Sequence, residues 1–220
     1  MSLQSNPFAT RYTRPGVIDY RFGDNGLDQV VSRLSPGKPH LIVGPHGTGK
    51  TTLLHTLVDG LRDSLPTTCF LKLDGVEEKG FRRLRARFRS AYRVGRSIKE
   101  LPKGSLLILD GIEQLGGFYR TYTLANARRK SVTVLATSHR PLRGMSVVYC
   151  TSLHPKIIQD LIRHLLQGVP SELRDEVQHW VQQYDLETIS NLRDFWFELY
   201  DLVQPKLLTP RCSKVGESST

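Results

Sequence analysis

Long apolar runs are missing from this 220-residue chain, and so are paired cysteines. The longest apolar stretches, such as Leu106 to Leu109, fall far short of the roughly 20 residues that cross a bilayer. The N-terminal MSLQSNPFATRYTRPG has no apolar signal region either. Both absences point to a cytoplasmic protein without a membrane partner. Cys69, Cys150 and Cys212 are an odd number at wide spacing, which argues against a disulfide framework. Two of them fall in expected core strands, where a free thiol acts as a small apolar side chain. The seven histidines show none of the common zinc spacings and have no cysteine partners, so no structural metal is expected. Neither an internal repeat nor a low-complexity tract is present.

What is there suits an ordinary folded chain, with 39% hydrophobic and 24% charged residues. The length allows one α/β domain with a sizeable core and a small helical appendage. The net charge of +10 is unevenly spread. From Lys79 to Lys130, 14 Lys and Arg face only Glu100, Asp110 and Glu113, a local excess of +11 that leaves the remainder close to neutral. A positive region this localised points to a polyanionic partner.

Apolar runs of four to six residues alternate with helical patterns after residue 26, the mark of a parallel sheet with crossover helices. Strands are expected at 40–43, 68–73, 105–109, 132–136 and 146–150, and helices at 26–34, 50–63, 81–97 and 117–129. Beyond residue 154 the strand signals stop, and three helical patterns follow at 155–167, 171–184 and 187–203. Pro170 and Ser171 supply a start signal for the second of these. The expected organisation is an irregular segment at 1–25, an α/β core at 26–153, a helical lid at 154–204 and a flexible polar tail at 205–220.

One stretch carries specific chemistry. Gly44-Pro45-His46-Gly47-Thr48-Gly49-Lys50-Thr51 matches G-x-x-x-x-G-K-[ST], the Walker A pattern, with a strand before it and a helix containing Thr52 after it. Glycines at 44, 47 and 49 let successive backbone N–H groups turn into one concavity, and the helix N-terminus adds partial positive charge. A phosphate suits that place. Lys50 is expected to reach the β- and γ-phosphate oxygens, and the Thr51 hydroxyl to ligate Mg²⁺. A second acid is needed for the metal, and SLLILDGIEQL supplies Asp110 at the carboxyl end of an apolar strand, where ligands bind in open α/β sheets. No guanine-reading NKxD motif is present, so ATP is preferred over GTP.

With these motifs the chain resembles the P-loop ATPases of the AAA+ class and their relatives among the signal-transduction ATPases, over most of residues 26–203. The resemblance implies an α/β fold with a five-stranded parallel sheet in the order 5-1-4-3-2, flanked by helices, with a small C-terminal helical lid. It implies a sensor 1 residue after the Walker B strand, for which VTVLATSHRPL offers Thr137 with Ser138 as its neighbour. It implies a sensor 2 arginine near the start of a late helix, which SNLRDFWFEL supplies as Arg193. It further implies an arginine acting on a neighbouring subunit's nucleotide, a place that Arg143 or Arg140 in HRPLRGM would fill. The class usually follows the Walker B aspartate with a water-polarising glutamate. Here that place holds Gly111, with Glu113 two residues on and Glu77 and Glu78 after the second strand. Glu113 is the favoured substitute, and the change leaves open a slow hydrolase or a nucleotide-gated switch. Part of the adenine pocket is expected from RPGVIDYRF.

The segment GFRRLRARFRSAYRVGR carries seven arginines between 82 and 96. At helical spacing Phe81, Leu84, Phe88, Ala91 and Tyr92 share one face, which is expected to pack on the sheet. Arg82, Arg85, Arg89, Arg93 and Arg96 line the adjacent stripe. Arginines so arranged suit a phosphate backbone, with a solvated face or an acidic subunit surface as the alternative. The leading expectation is an ATPase (ATP to ADP and phosphate) whose nucleotide state gates binding to DNA or RNA. The alternative is a regulatory or scaffolding ATP-binding protein that hydrolyses poorly and acts through protein contacts or homo-oligomers. A small-molecule kinase ranks third, because the helical segment follows the fifth strand instead of interrupting the core.

Overall fold

The computed structural model describes residues 5–22, 26–61, 67–73 and 80–208. They fall into two compact units, one within Pro15–Leu153 and one within Met1–Arg14 together with His154–Thr220. In chain order the elements are α1 (Thr10–Thr13), α2 (Leu27–Ser32), β1 (Pro39–Val43), α3 (Lys50–Leu61), β2 (Thr68–Lys72), α4 (Phe81–Glu100), β3 (Leu106–Asp110), α5 (Gly116–Arg129), β4 (Thr133–Ser138), β5 (Ser146–Cys150), α6 (Pro155–Leu165), α7 (Ser171–Gln183) and α8 (Leu192–Leu208). Short 3₁₀ turns occupy Ile112–Leu115 and Leu186–Thr188.

In the first unit the five strands form one sheet in the order β2-β3-β4-β1-β5, with every pairing parallel. This is the expected order read from its other edge. The central strands β1, β3 and β4 are buried along their whole length, which is why they read as unbroken apolar runs and not as alternating ones. Within β3 the period of two sends Leu107 and Leu109 to one face and Leu106 and Ile108 to the other. The first pair packs with Val134, Ala136, Val94, Ile98 and Leu124. The second packs with Ile42, Leu135, Leu53, Leu54 and Leu57. The edge strands are only partly covered, so Cys150 on β5 is exposed and not the core residue expected of it, while Cys69 on β2 is half-buried and packs against the core.

The expectation for α4 is corrected. Phe81, Leu84, Phe88 and Tyr92 do not pack on the sheet; they are exposed. The sheet-facing stripe is instead Ala91, Val94 and Ile98, with Arg87 half-buried on the same side. The physical reason is twofold. The stripe at 87, 91, 94 and 98 lies about a quarter turn round the helix from the rings, and a helix of 20 residues runs about 30 Å against about 17 Å for a five-residue strand, so the first turns of α4 extend past the sheet.

In the second unit α6, α7 and α8 bury Ile158, Leu161, Ile162 and Leu165, then Leu173, Val177 and Val181, then Phe195, Trp196, Leu199 and Val203. Pro155 occupies the first turn of α6, where a missing N–H costs nothing. The helix expected from 187 starts later, at Leu192, because Asp185 caps a 3₁₀ turn by accepting from the Glu187 N–H and Asn191 accepts from the Arg193 N–H. It also ends later, at Leu208, with Pro205 in its last turn, so the tail expected from 205 is still helical there. The N-terminal segment joins this unit through Phe8, which stacks on Trp196 at 5.9 Å. Asn6 adds hydrogen bonds from Nδ2 to the Tyr200 carbonyl and Gln204 Oε1. Among the described residues no helix is long and apolar enough to cross a membrane.

Two substitutions separate the buried core from the overhanging helix. Leu109→Ala is expected to cost about 2–5 kcal/mol of stability in urea denaturation, while Phe88→Ala stays within about 0.5 kcal/mol of wild type.

Candidate nucleotide-binding site

Register brings the site together at the carboxyl ends of the central strands. Val43 pairs with Ser138 and Ile42 with Thr137, while Leu109 pairs with Ala136, so the loop after β1, Asp110 and Thr137 lie side by side. The loop Gly44–Gly49 leaves β1 and enters α3 at Lys50. It is held from inside by the Thr48 hydroxyl, which donates to the Pro45 carbonyl at 2.9 Å, and from outside by Thr151, whose hydroxyl lies 2.6 Å from that of Thr48. Thr151 also donates its N–H to the Val43 carbonyl. Gly44 is what allows this approach, because a Cβ there would stand 2.1 Å from Thr151 Oγ1 and 2.7 Å from the Thr151 carbonyl oxygen.

Lys50 is buried, and its ammonium donates to the Gly44 and Pro45 carbonyls at 2.8 and 2.5 Å. Burial pulls its pKa below the ordinary lysine value, while the nearby carboxylates of Glu113 and Asp110 oppose that shift. Asp110 is buried and accepts on both oxygens, from Thr51 Oγ1 at 2.8 Å and from Thr137 Oγ1 at 2.6 Å. The Thr137 hydroxyl also accepts the Gly111 N–H at 2.8 Å. A hydroxyl at the head of α3, a carboxylate at the tip of β3 and a hydroxyl at the tip of β4 thus form one connected array beside a cation. Such an array can orient anionic oxygens, and its hydroxyl and carboxylate are the hard oxygen donors that magnesium takes.

Gly111 has a left-handed φ of +86°, and a Cβ there would meet the Leu73 carbonyl oxygen at 3.2 Å. A glutamate at this position would therefore be strained. The chain instead turns through Ile112–Leu115, anchored by the buried Ile112 and Leu115, and presents Glu113. Glu113 Oε1 lies 3.2 Å from His139 Nε2, and Oε2 is buried without a hydrogen-bond partner among the described residues. His139 stacks on His46 of the loop, with ring centroids 3.6 Å apart. Burial and the charge of Lys50 hold the His139 pKa below the ordinary histidine value, with Glu113 opposing them.

The structure brings Lys50, Thr51, Asp110, Thr137 and Glu113 together. Ser138 ends β4, and its hydroxyl accepts from the Arg140 N–H. Arg140 and Arg143 are exposed on the segment before β5, and Arg193 is exposed at the start of α8 in the helical unit. Glu77 and Glu78 lie outside the described residues. The segment RPGVIDYRF contributes Tyr20, whose N–H donates to Thr56 Oγ1 of α3 and whose ring packs edge-on against Phe22 and Tyr149. Burial, then Tyr149, raises the Tyr20 phenol pKa well above its ordinary value. Sequence reasoning places His46 in the Walker A loop but missed Thr151 and His139 as its neighbours. Neither of these two belongs to a local motif, and only the fold brings them to the loop.

The ATPase family associated with various cellular activities (AAA) matches residues 40–168. Among solved structures, domain III of the replication initiation protein DnaA from Thermotoga maritima aligns at a TM-score of 0.55 and 16% identity. That alignment covers 85% of this chain and 86% of that one. A replication initiator DnaA bound to AMPPCP and single-stranded DNA aligns at a TM-score of 0.54 and 17% identity, covering 85% of this chain and 63% of that one. At such identities the likeness is one of fold. A curated relative, the phosphonates import ATP-binding protein PhnC 1 of Cupriavidus necator, is 40% identical over 47 residues, which are 21% of this chain and 17% of the relative.

Two substitutions probe the array. Thr137→Val strands the Gly111 N–H and one Asp110 oxygen, and is expected to lower stability by about 1–3 kcal/mol in thermal denaturation. Gly44→Ala is expected to abolish binding of a fluorescent ATP analogue, since the added Cβ displaces Thr151 from the loop.

Proposed function

The chain belongs to the AAA family of ATPases, and from that premise we propose that it is a nucleotide-gated ATPase module whose ATP state controls engagement of a nucleic-acid partner. The observation that carries the nucleotide half is Asp110 accepting from both Thr51 and Thr137 within the field of Lys50. Thr51 and Asp110 fit Mg²⁺ in donor chemistry and proximity, and they would hold it; the ion when bound neutralises phosphate charge. Gly44 to Thr52 cradle the phosphates, with Lys50 exchanging its two loop carbonyls for phosphate oxygens. Thr137 senses the γ-phosphate end of the site. Glu113 orients the attacking water through its unpartnered oxygen while His139 fixes the other. We assign Arg193 to γ-phosphate sensing and Arg143 to a neighbouring subunit's nucleotide.

The nucleic-acid half rests on α4. Arg82, Arg85, Arg89, Arg93 and Arg96 lie on its exposed surface, Arg96 pairing with Glu100 at 2.8 Å. One protein of similar fold is a replication initiator bound to single-stranded DNA, which agrees with this direction. A second reading, a regulatory ATP-binding protein acting through protein contacts, is favoured by Gly111, since the usual glutamate is missing from that position.

Steady-state ATP hydrolysis separates the two. Lys50→Ala is expected to abolish turnover, and Glu113→Gln to lower kcat about 10²–10⁴-fold with ATP binding retained. DNA is expected to raise the Lys50-dependent rate, and moderate salt to remove the effect. ATP binding with a rate indifferent to DNA and RNA would establish the second reading.

A further inference from the structure

The exposed side of α4 combines its arginines with a row of exposed rings. Phe81, Phe88 and Tyr92 on α4, with Phe118 and Tyr122 on α5, are each between 58% and 80% exposed. The two helices pack against each other. Phe88 lies 6.3 Å from the Tyr119 ring, and Tyr119 lies 5.5 Å from Phe118, so ring contacts join the helices into one surface. On α4 successive rings at 88 and 92 are about 6 Å apart along the axis, and the row from 81 to 92 runs about 16 Å. The stripe at Arg85, Arg89 and Arg93 follows it one residue round the helix.

Charge says what covers this face. Between them α4 and α5 hold ten arginines and one lysine against a single acid, Glu100, and that acid is engaged with Arg96. Their excess of +10 equals the net charge of the whole chain. Apolar rings alone would suit many partners. Rings alternating with guanidinium groups, with Glu100 the one acid on the two helices, suit one that presents flat apolar faces and regularly spaced anions together. Duplex DNA keeps its base faces stacked inside, so it offers only the phosphates.

We propose that this face binds single-stranded DNA, with bases stacking on Phe88, Tyr92, Phe118 and Tyr122 while Arg85, Arg89 and Arg93 follow the phosphates. The proposal rests on the nucleic-acid reading above and narrows it to unpaired strands. DNA is chosen over RNA because the one carboxylate that α4 and α5 carry, Glu100, is engaged with Arg96 and is not placed to accept from a 2′-hydroxyl.

The test is fluorescence anisotropy of the full chain with labelled oligonucleotides of about 20 nucleotides, longer than the roughly 4–16 that such surfaces cover. The probes are oligo-deoxythymidine, oligo-uridine and a mixed-sequence duplex. Tyr92→Ala and Phe118→Ala are each expected to weaken the single strand about tenfold and leave duplex binding unchanged, while Tyr92→Trp retains or tightens single-strand binding. Arg85→Glu with Arg89→Glu is expected to weaken single strand and duplex alike and to flatten the salt dependence of both. Because these side chains are exposed, circular dichroism should show all variants folded. Loss of binding in the arginine variant with none in the ring variants would overturn the stacking proposal and leave the broader reading standing. Tighter binding of oligo-uridine would overturn the assignment to DNA. Failure of wild type to bind any of the three at low salt would overturn both, and would point to an acidic protein surface as the occupant.

Discussion

The carboxylate of Asp110 is the constraint on which the site depends. It is buried at the tip of a fully buried strand, where an unpaired charge would cost several kcal/mol. Two hydroxyls and the nearby Lys50 offset that cost, and they come from two elements: Lys50 and Thr51 from the start of α3, Thr137 from the end of β4. A slip of one residue between β3 and β4 would turn Thr137 to the opposite face and leave the carboxylate short of a donor. Register, loop and helix start are thereby tied to one acceptor. The same group that specifies the fold here is the one whose chemistry a nucleotide would use.

How much of this the sequence discloses depends on how local each feature is. β1, β3 and β4 are legible because burial on both faces leaves uninterrupted apolar runs, and the Walker A loop because its residues are contiguous. Asp110 is legible because it ends such a run. Thr151 is not, although it clamps Gly44 and Thr48, since nothing around TSLH distinguishes it from any other strand exit. The pairing of His46 with His139 and of His139 with Glu113 joins residues far apart in the sequence and needs the sheet order to exist first.

The misreading of α4 shows a different limit. Its spacing correctly predicts two stripes, one of rings and one of arginines, but periodicity establishes that a face exists and says nothing about what lies opposite. Residues 87, 91, 94 and 98 form a third stripe that looks poorer in apolar area, beginning as it does with an arginine and an alanine. It is nevertheless the buried one, because α4 turns this stripe and not the ring stripe to the sheet: Tyr92 is exposed beside the packed Ala91 and Val94.

Gly111 turns out to be less a loss than a displacement. With φ in the left-handed region and the Leu73 carbonyl close by, this backbone cannot carry a glutamate there without strain. The glycine bends the chain into a 3₁₀ turn whose apolar residues, Ile112 and Leu115, are buried, and the turn returns a carboxylate to the end of β4 from the other direction. A group that orients water needs one oxygen fixed and one open. Glu113 has its first oxygen against His139 and its second without a hydrogen-bond partner among the described residues, within the electrostatic reach of Lys50. His139 in turn rests on His46, a residue of the phosphate loop itself. The phosphate loop and the carboxylate of Glu113 are thereby linked by one chain of side-chain contacts, His46 to His139 to Glu113.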